Sequence, residues 1–152
     1  EILHPLATQY AAPARKTNDM SCVLKVSVGR NSALLTSDIE ALSERSLLAR
    51  YGASKSAGDK LRATVLIAPH HGSRTSSTPE FIAAVSAREV IFPAGYRNRF
   101  GHPRPDVVER YRATGAELHR TDSEGALSIS MTATDVSVQG ERAGRWRYWF
   151  GR

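Results

Sequence analysis

Residues Val65-Leu66-Ile67-Ala68-Pro69-His70-His71-Gly72-Ser73 form an apolar run that ends on two adjacent histidines. A buried strand can hold ligand-capable side chains rigidly at its carboxyl end, as metal-dependent hydrolysis requires. The earlier stretch Leu34-Leu35-Thr36-Ser37-Asp38 repeats the arrangement, with a carboxylate in place of the imidazoles. Two such strand ends, one bearing Asp38 and the other His70 and His71, predict a site for a divalent cation.

The segments around these two strands alternate between strand and helix patterns. Hydrophobic periodicity predicts a β-hairpin over residues 21–36, a helix over 39–51, a solvated loop over 53–60, and strands over 63–68, 89–92, 117–119, 126–131 and 136–138. A further helix opens at 77–80, capped by Ser77 or Thr78, with its inward face at Phe81, Ile82 and Val85. The next helix is marked by Val107, Val108 and Tyr111 and stops at Gly115. Strands that alternate with helices predict an α/β fold, a sheet covered by helices. Because reactive residue types follow the strands, we expect function at the carboxyl edge of that sheet.

Length and composition indicate one folded domain. The chain has 152 residues, of which 41% are hydrophobic, so a disordered chain is excluded. No apolar run approaches the roughly 20 residues of a membrane span. The start at Glu1, without a methionine, suggests a piece of a longer polypeptide. Cys22 is the only cysteine and cannot form an internal disulfide; its apolar neighbours predict a core position rather than a nucleophile.

The chain is strongly basic, with a formal net charge of +6. Such a surface favours polyanionic partners, nucleic acid or anionic lipid, although a solvated basic surface without a fixed partner is an equal alternative. Residues 141–152 form a basic aromatic tail after a domain that spans 1–140. In this tail, Arg145-Trp146-Arg147-Tyr148-Trp149-Phe150 is typical of base stacking or of an aromatic anchor that docks the terminus, and docking is the preferred reading.

Each candidate site residue also has a structural interpretation. Asp38 could cap the helix that follows it, and His70 and His71 could be loop histidines that bond to the backbone. Gly72 favours the ligand interpretation because it allows close approach of the backbone. A serine-nucleophile mechanism through Ser73 is the main rival, but the sequence lacks the Gly-x-Ser-x-Gly elbow.

Several ordered motifs resemble a known family, the ComEC-type competence proteins, and specifically the second half of their metallo-β-lactamase-like domain. The motifs are Leu34-Leu35-Thr36-Ser37-Asp38, His70-His71-Gly72-Ser73 and Asn98-Arg99-Phe100-Gly101-His102-Pro103, with further matches at residues 18–21 and 121–125. The resemblance spans roughly residues 3–131.

This resemblance implies the fold, the partners and the roles of individual residues. It implies the carboxyl-terminal half of an αββα sandwich in a bacterial inner-membrane protein, whose channel passes single-stranded DNA while this domain degrades the other strand. Two divalent metals, zinc or manganese, would lie between the sheets. Asp38 and His70 would be metal ligands, and His71 would be catalytic by facing the substrate or assisting proton transfer. Contacts to the phosphate are implied for Ser73, Asn98 and His102.

Two departures from the family pattern affect these expectations. Ser37 stands where the family usually has glycine before the aspartate. The first ligand cluster, His-x-His-x-Asp-His, is not in these 152 residues, so we expect it on a preceding half and expect little activity from this fragment alone. A non-catalytic module that guides DNA beside the channel is the alternative. Half of a sandwich would also expose an apolar sheet face, which predicts possible self-association.

Overall fold

The computed structural model describes residues 1–11, 16–52 and 60–144. The strands are β1 (Ile2–His4), β2 (Val23–Val28), β3 (Asn31–Leu35), β4 (Val65–Ile67), β5 (Glu89–Phe92), β6 (Glu117–Arg120), β7 (Leu127–Met131) and β8 (Val136–Gly140). The α-helices are α1 (Ala41–Tyr51), α2 (Pro79–Val85), α3 (Pro105–Arg112), α4 (Thr121–Glu124) and α5 (Glu141–Gly144). Short 3₁₀ turns cover Ala7–Ala11, Thr17–Met20 and Pro69–Gly72.

The first six strands form one mixed sheet in sequence order. β1, β2 and β3 pair antiparallel, and β3, β4, β5 and β6 pair parallel. Helices α1, α2 and α3 connect the parallel strands. Since parallel strands share a direction, the segments that follow β3, β4 and β5 meet at one edge of the sheet, which we call the carboxyl edge.

The two faces of this sheet are covered differently. The main core lies between one face and the three crossover helices, where Leu34, Leu66 and Val90 of the strands join Leu47, Phe81 and Tyr111 of the helices. On the other face, the separate β7–β8 hairpin packs Val136 against Val65 and Ile91. The described layers are therefore helices, mixed sheet and hairpin. Beyond the hairpin, Ile2, Val26 and Leu35 remain exposed.

The predicted α/β class, with a mixed sheet and flanking helices, is confirmed. The β2–β3 hairpin pairs Leu24 with Leu35 across the Gly29-Arg30 turn, as its alternating pattern predicts. Helix α1 ends before Gly52, as predicted. The predicted inward face of α2, made of Phe81, Ile82 and Val85, is buried.

Three local predictions are wrong. Cys22 is exposed rather than in the core, because it lies just before β2 begins and not within the strand. Asp38 does not cap α1, since the helix begins at Ala41 with Glu40 at the cap position. Thr78 occupies the cap position of α2, but no side-chain cap bond forms; Glu44 of α1 instead accepts from the N–H groups of Ser77 and Thr78, just before the helix begins.

Within the described ranges, no helix is both long and apolar enough to cross a bilayer. The predicted solvated loop at 53–60 lies, apart from Lys60, outside the described residues, as does the aromatic part of the tail at 145–152. Arg142 at the start of that tail donates to the backbone carbonyl of Asp122 at 2.8 Å.

Candidate functional site at the carboxyl edge

The carboxyl edge brings together the predicted residues that follow β3, β4 and β5. Asp38 follows β3, His70 and His71 follow β4, and His102 lies in the loop after β5. The backbone N–H of His70 donates to the Ser37 carbonyl at 2.9 Å, which ties the first two segments together. The ring centroids of His70 and His102 are 5.9 Å apart. The sheet thus gathers at one place residues that are up to 64 positions apart in the sequence (102 − 38).

The backbone at this edge is strained. His70 and His71 both adopt left-handed conformations, with φ of 46° and 55°, and Ser37 does so with φ of 49°. A residue with a Cβ adopts this region at a cost of about 1–2 kcal/mol. The conformation of Ser37 explains why glycine suits the position before the aspartate. Such strain persists only where the surrounding structure imposes it, and it concentrates at functional sites.

His71 lies between a backbone carbonyl and a carboxylate. Its Nδ1 is 2.8 Å from the carbonyl oxygen of Pro93, and its Nε2 is 3.2 Å from Oδ1 of Asp38. Both side chains are about half exposed, at 47% and 44%. Each ring nitrogen thus has an oxygen acceptor facing it when it carries a proton. The half-exposed side chain also remains accessible to a substrate.

His70 is held by a different carboxylate, one that the sequence reasoning missed. Its Nδ1 lies 3.5 Å from Oε1 of Glu40 and 3.2 Å from the Thr75 hydroxyl. Glu40 in turn accepts a hydrogen bond from the Asn18 amide at 3.1 Å. Asp38 and Glu40 both lie in the turn and connecting segment between β3 and α1, where no regular periodicity marks Glu40 in the sequence. Within the described residues, no hydrogen bond engages Nε2 of His70.

Gly72 and Ser73 shape the turn that carries the two histidines. A Cβ built on Gly72, where φ is +80°, would lie 2.7 Å from Cβ of Pro103 and 2.9 Å from Cδ1 of Phe92. The close approach is therefore to the loop after β5 and to the core. Ser73 is 7% exposed and its hydroxyl is 3.1 Å from that of Thr75, so it supports the turn directly beneath His70.

The loop after β5 is braced internally by Asn98. Its amide nitrogen donates to the His102 carbonyl at 2.7 Å, and its amide oxygen accepts from the His102 N–H at 2.9 Å. Asn98 therefore positions His102, and its substrate contact stays a prediction. Burial, assisted by the neighbouring charges of His70, Arg104 and His71, lowers the pKa of His102. A cavity of about 230 Å³ beside this loop is lined by His71, Asn98, Phe100 and His102.

A buried glutamate fixes the segment that follows the histidine turn. The carboxylate of Glu44 in α1 is fully buried and accepts hydrogen bonds from the backbone N–H groups of Ser77 at 2.5 Å and Thr78 at 2.8 Å. Burial raises the pKa of Glu44, although these two donors act against the rise. Arg110 of α3 donates to the Ser77 carbonyl at 3.0 Å, so helices α1 and α3 both hold this segment.

The described residues contain one group of three metal-capable side chains, and it lies away from the carboxyl edge. Glu89, Glu117 and His119 bring ligand atoms within 4.8 Å of one another. Here Nε2 of His119 is 3.2 Å from Glu89, and Nδ1 is 3.3 Å from Glu124. Burial acts to lower the pKa of His119, but the bonds to Glu89 and Glu124 outweigh it and the pKa is raised. A protonated imidazole satisfies both contacts, so we interpret the group as an ion-pair cluster.

Comparison with known proteins shows that the chain is similar in sequence to a segment of several longer proteins. It is 39% identical over 132 residues to competence protein ComA of Neisseria gonorrhoeae, which covers 87% of this chain and 18% of that protein. It is 32% identical over 124 residues to ComE operon protein 3 of Bacillus subtilis, covering 82% of this chain and 15% of that protein. Recombination protein 2 of Haemophilus influenzae matches all of this chain at 28% identity, over 18% of its own length. No protein-family model matches the chain. The chain is thus similar to a segment of proteins named for competence and recombination, and it spans at most 18% of the length of these three relatives.

Proposed function

We propose that this chain forms part of a metal-dependent phosphodiesterase that acts on DNA during competence-linked DNA uptake, next to a membrane channel of the same longer polypeptide. The observation that carries the proposal is that Nδ1 of both imidazoles is engaged within the chain, in His70 beside the Thr75 hydroxyl and the Glu40 carboxylate and in His71 at the Pro93 carbonyl. Nε2 of His70 is left for a metal ion, and Nε2 of His71 faces Asp38. The similarity to proteins named for competence supports the setting.

The residues present are suited to a divalent cation. A metal-binding histidine commonly donates its other ring N–H to a carboxylate, and Oε1 of Glu40 lies 3.5 Å from Nδ1 of His70, beside the Thr75 hydroxyl. Asp38 and His70 would hold the ion, zinc or manganese, which when bound would activate a water molecule and stabilise charge on the phosphodiester. Catalytic zinc sites commonly take three protein ligands, and among the described residues no group of three donors forms at this edge. We propose that other ligands come from another part of the longer protein, within an αββα sandwich.

His71 would move the proton in this reaction. When Nδ1–H donates to the Pro93 carbonyl and the ring is neutral, Nε2 is the basic atom, so it can take a proton from an attacking water and return it to a leaving oxygen. Asp38, 3.2 Å from Nε2, would accept a hydrogen bond from the ring in its protonated form. Ser73 and Asn98 would act on the substrate only through the turn and loop they support, while His102 borders the same cavity as His71.

Metal titration tests the metal site directly. We expect Asp38→Asn and His70→Gln to weaken Mn²⁺ binding to this chain by about 10- to 100-fold. Asp135→Asn, an exposed carboxylate in the β7–β8 turn, is the matched control and should bind Mn²⁺ as the unmodified chain does. Titration calorimetry or Mn²⁺ electron paramagnetic resonance measures the affinity. Equal affinity in all three variants would rule out these ligands.

Cleavage of end-labelled DNA by the longer protein tests the activity. His71→Gln should lower the cleavage rate by about 100-fold while Mn²⁺ affinity changes little, because the ring moves a proton rather than holding the ion. Cleavage that survives substitution at positions 38, 70 and 71 would contradict the proposal.

A non-catalytic DNA-guiding module is the second candidate, and the loop after β5 favours it. Arg97 stacks over Tyr96 at 5.2 Å and Arg99 over Phe100 at 5.0 Å, beside the same cavity. Cations interleaved with aromatics suit binding of single-stranded nucleic acid without base specificity. Salt-dependent DNA binding by a longer protein that cleaves no DNA with Mn²⁺ or Zn²⁺ would favour this candidate over the enzyme.

A further inference from the structure

A second cavity, lined by arginines, lies at the edge of the sheet opposite the candidate site. It encloses about 260 Å³ and is lined by three arginines, Arg30, Arg62 and Arg88, and by the hydroxyl residues Ser32, Thr64 and Ser86. Arg30 immediately precedes β3, while Arg62 and Arg88 lie just before β4 and β5. The amino ends of three neighbouring strands therefore each bring one guanidinium to the same cavity.

Most of the donors on these guanidiniums remain available. Arg30 uses Nη2 to donate to the Thr134 carbonyl at 2.8 Å. Arg88 uses Nε for Glu89 at 3.0 Å and Nη2 for the Val136 carbonyl at 3.2 Å. No described residue pairs with the side chain of Arg62. These bonds anchor two of the three cations to the β7–β8 hairpin and to the sheet, so the cavity is held in place before any ligand arrives.

The charges around the cavity are not balanced by the described residues. Three guanidiniums line it, whereas the one carboxylate bonded to them, Glu89, also lies 3.2 Å from Nε2 of His119. The three arginines are solvent-exposed, so their mutual repulsion is screened, but an anion placed between them would still be attracted by all three. Guanidinium forks match the oxygens of phosphate in geometry as well as in charge.

We propose that this cavity binds a backbone phosphate of nucleic acid, at a position separate from the candidate catalytic site. The inference rests on the proposed function, because it takes the polyanion to be DNA. A lipid-binding surface would place apolar side chains beside the cations. None of the exposed large hydrophobic side chains of the described residues lines this cavity, so nucleic acid fits it better than a membrane surface does.

The two sites are far enough apart to require a long ligand. β3 has five residues, and at about 3.3 Å per residue the opposite edges of the sheet are roughly 15 Å apart. A strand of duplex DNA advances about 3.4 Å per nucleotide along its axis, so at least about five nucleotides separate the two positions. An oligonucleotide of about 20 nucleotides can reach both, whereas inorganic phosphate reports on the cavity alone.

The test uses the 152-residue chain with two probes. Amide chemical shifts are followed while inorganic phosphate and then a single-stranded oligonucleotide of about 20 nucleotides are added. We expect phosphate to shift the amides of Ala63, Thr64 and Ser86. We expect Arg62→Gln to abolish those shifts, to weaken oligonucleotide binding by about tenfold, and to lower the slope of log affinity against log salt by about 0.7.

Two further variants distinguish paired guanidinium–phosphate hydrogen bonds from a general effect of positive charge. Arg45→Gln removes one exposed positive charge from α1 and should change oligonucleotide affinity far less than Arg62→Gln does. Arg62→Lys keeps the charge and should restore most of the salt slope but only part of the affinity. Equal losses in the two glutamine variants would overturn the proposal. So would phosphate shifts no larger at Thr64 than at Arg45, or binding to anionic lipid vesicles in the absence of oligonucleotide binding.

The result is independent of catalysis at the other edge. Asp38→Asn is not expected to weaken the phosphate-induced shifts at Thr64. Loss of DNA cleavage with these shifts intact would therefore contradict the enzymatic proposal alone, and loss of the shifts with cleavage intact would contradict only the phosphate cavity.

Discussion

At the scale of single residues, Gly72 combines two constraints that can be separated by experiment. Its φ of +80° disfavours any side chain, and a Cβ there would also collide with Pro103 and Phe92. We expect Gly72→Ala to lower the free energy of unfolding by about 2–4 kcal/mol, the sum of backbone strain and overpacking. Urea denaturation measures the loss.

Gly115→Ala is the matched control for this prediction. Gly115 has nearly the same φ, +79°, but no atom lies within 4 Å of the position its Cβ would take. It should cost about 1–2 kcal/mol, from backbone strain alone. Equal losses in the two variants would show that the contact with Pro103 and Phe92 contributes nothing.

At the scale of elements, the histidine turn depends on a helix that is distant in sequence. The carboxylate of Glu44 in α1 accepts from both Ser77 and Thr78, whose N–H groups would otherwise be left without partners at the start of α2. We expect Glu44→Ala to cost about 2–4 kcal/mol in the free energy of unfolding, because one buried and one partly buried donor lose their acceptor. Thermal or urea unfolding provides the measurement.

Glu80 supplies the control within the same element. It is exposed in the first turn of α2, so Glu80→Ala should change the free energy of unfolding by no more than about 0.5 kcal/mol. A Glu44→Ala variant as stable as Glu80→Ala would show that α2 does not need the carboxylate. Since the turn at His70 leads directly into this segment, we also expect Glu44→Ala to weaken Mn²⁺ binding.

At the scale of the whole molecule, the cluster around His119 should make stability depend on pH. The pKa of His119 is raised in the folded chain, so its stabilising contribution is complete below the unfolded value of about 6.5 and is lost as pH rises through the folded value. The lowered pKa of His102 contributes the opposite trend. The stability of the unmodified chain minus that of His119→Gln isolates the cluster.

We expect this difference in unfolding free energy to decrease as pH rises above about 6.5, through the raised pKa of His119 in the folded chain. Urea denaturation at a series of pH values measures it. A difference that does not change with pH would mean that Glu89 and Glu124 do not hold a protonated ring.

The sequence alone determined the local elements and their order. Period-two and helical apolar patterns, with Gly52 and Pro79 at helix ends, act between near neighbours, so the mixed α/β sheet and the placement of Asp38, His70 and His71 after its strands could be read directly. Only the tertiary structure decided which groups face one another. That Asp38 contacts His71 while Glu40 holds His70 depends on left-handed turns and on the adjacency of β3 and β4, and the cavity with Arg30, Arg62 and Arg88 depends on the alignment of three strands. For the same reason, the exposure of Cys22 was misjudged and the charged cluster around His119 was passed over. Burial and charge partners come from residues that are far away in the chain.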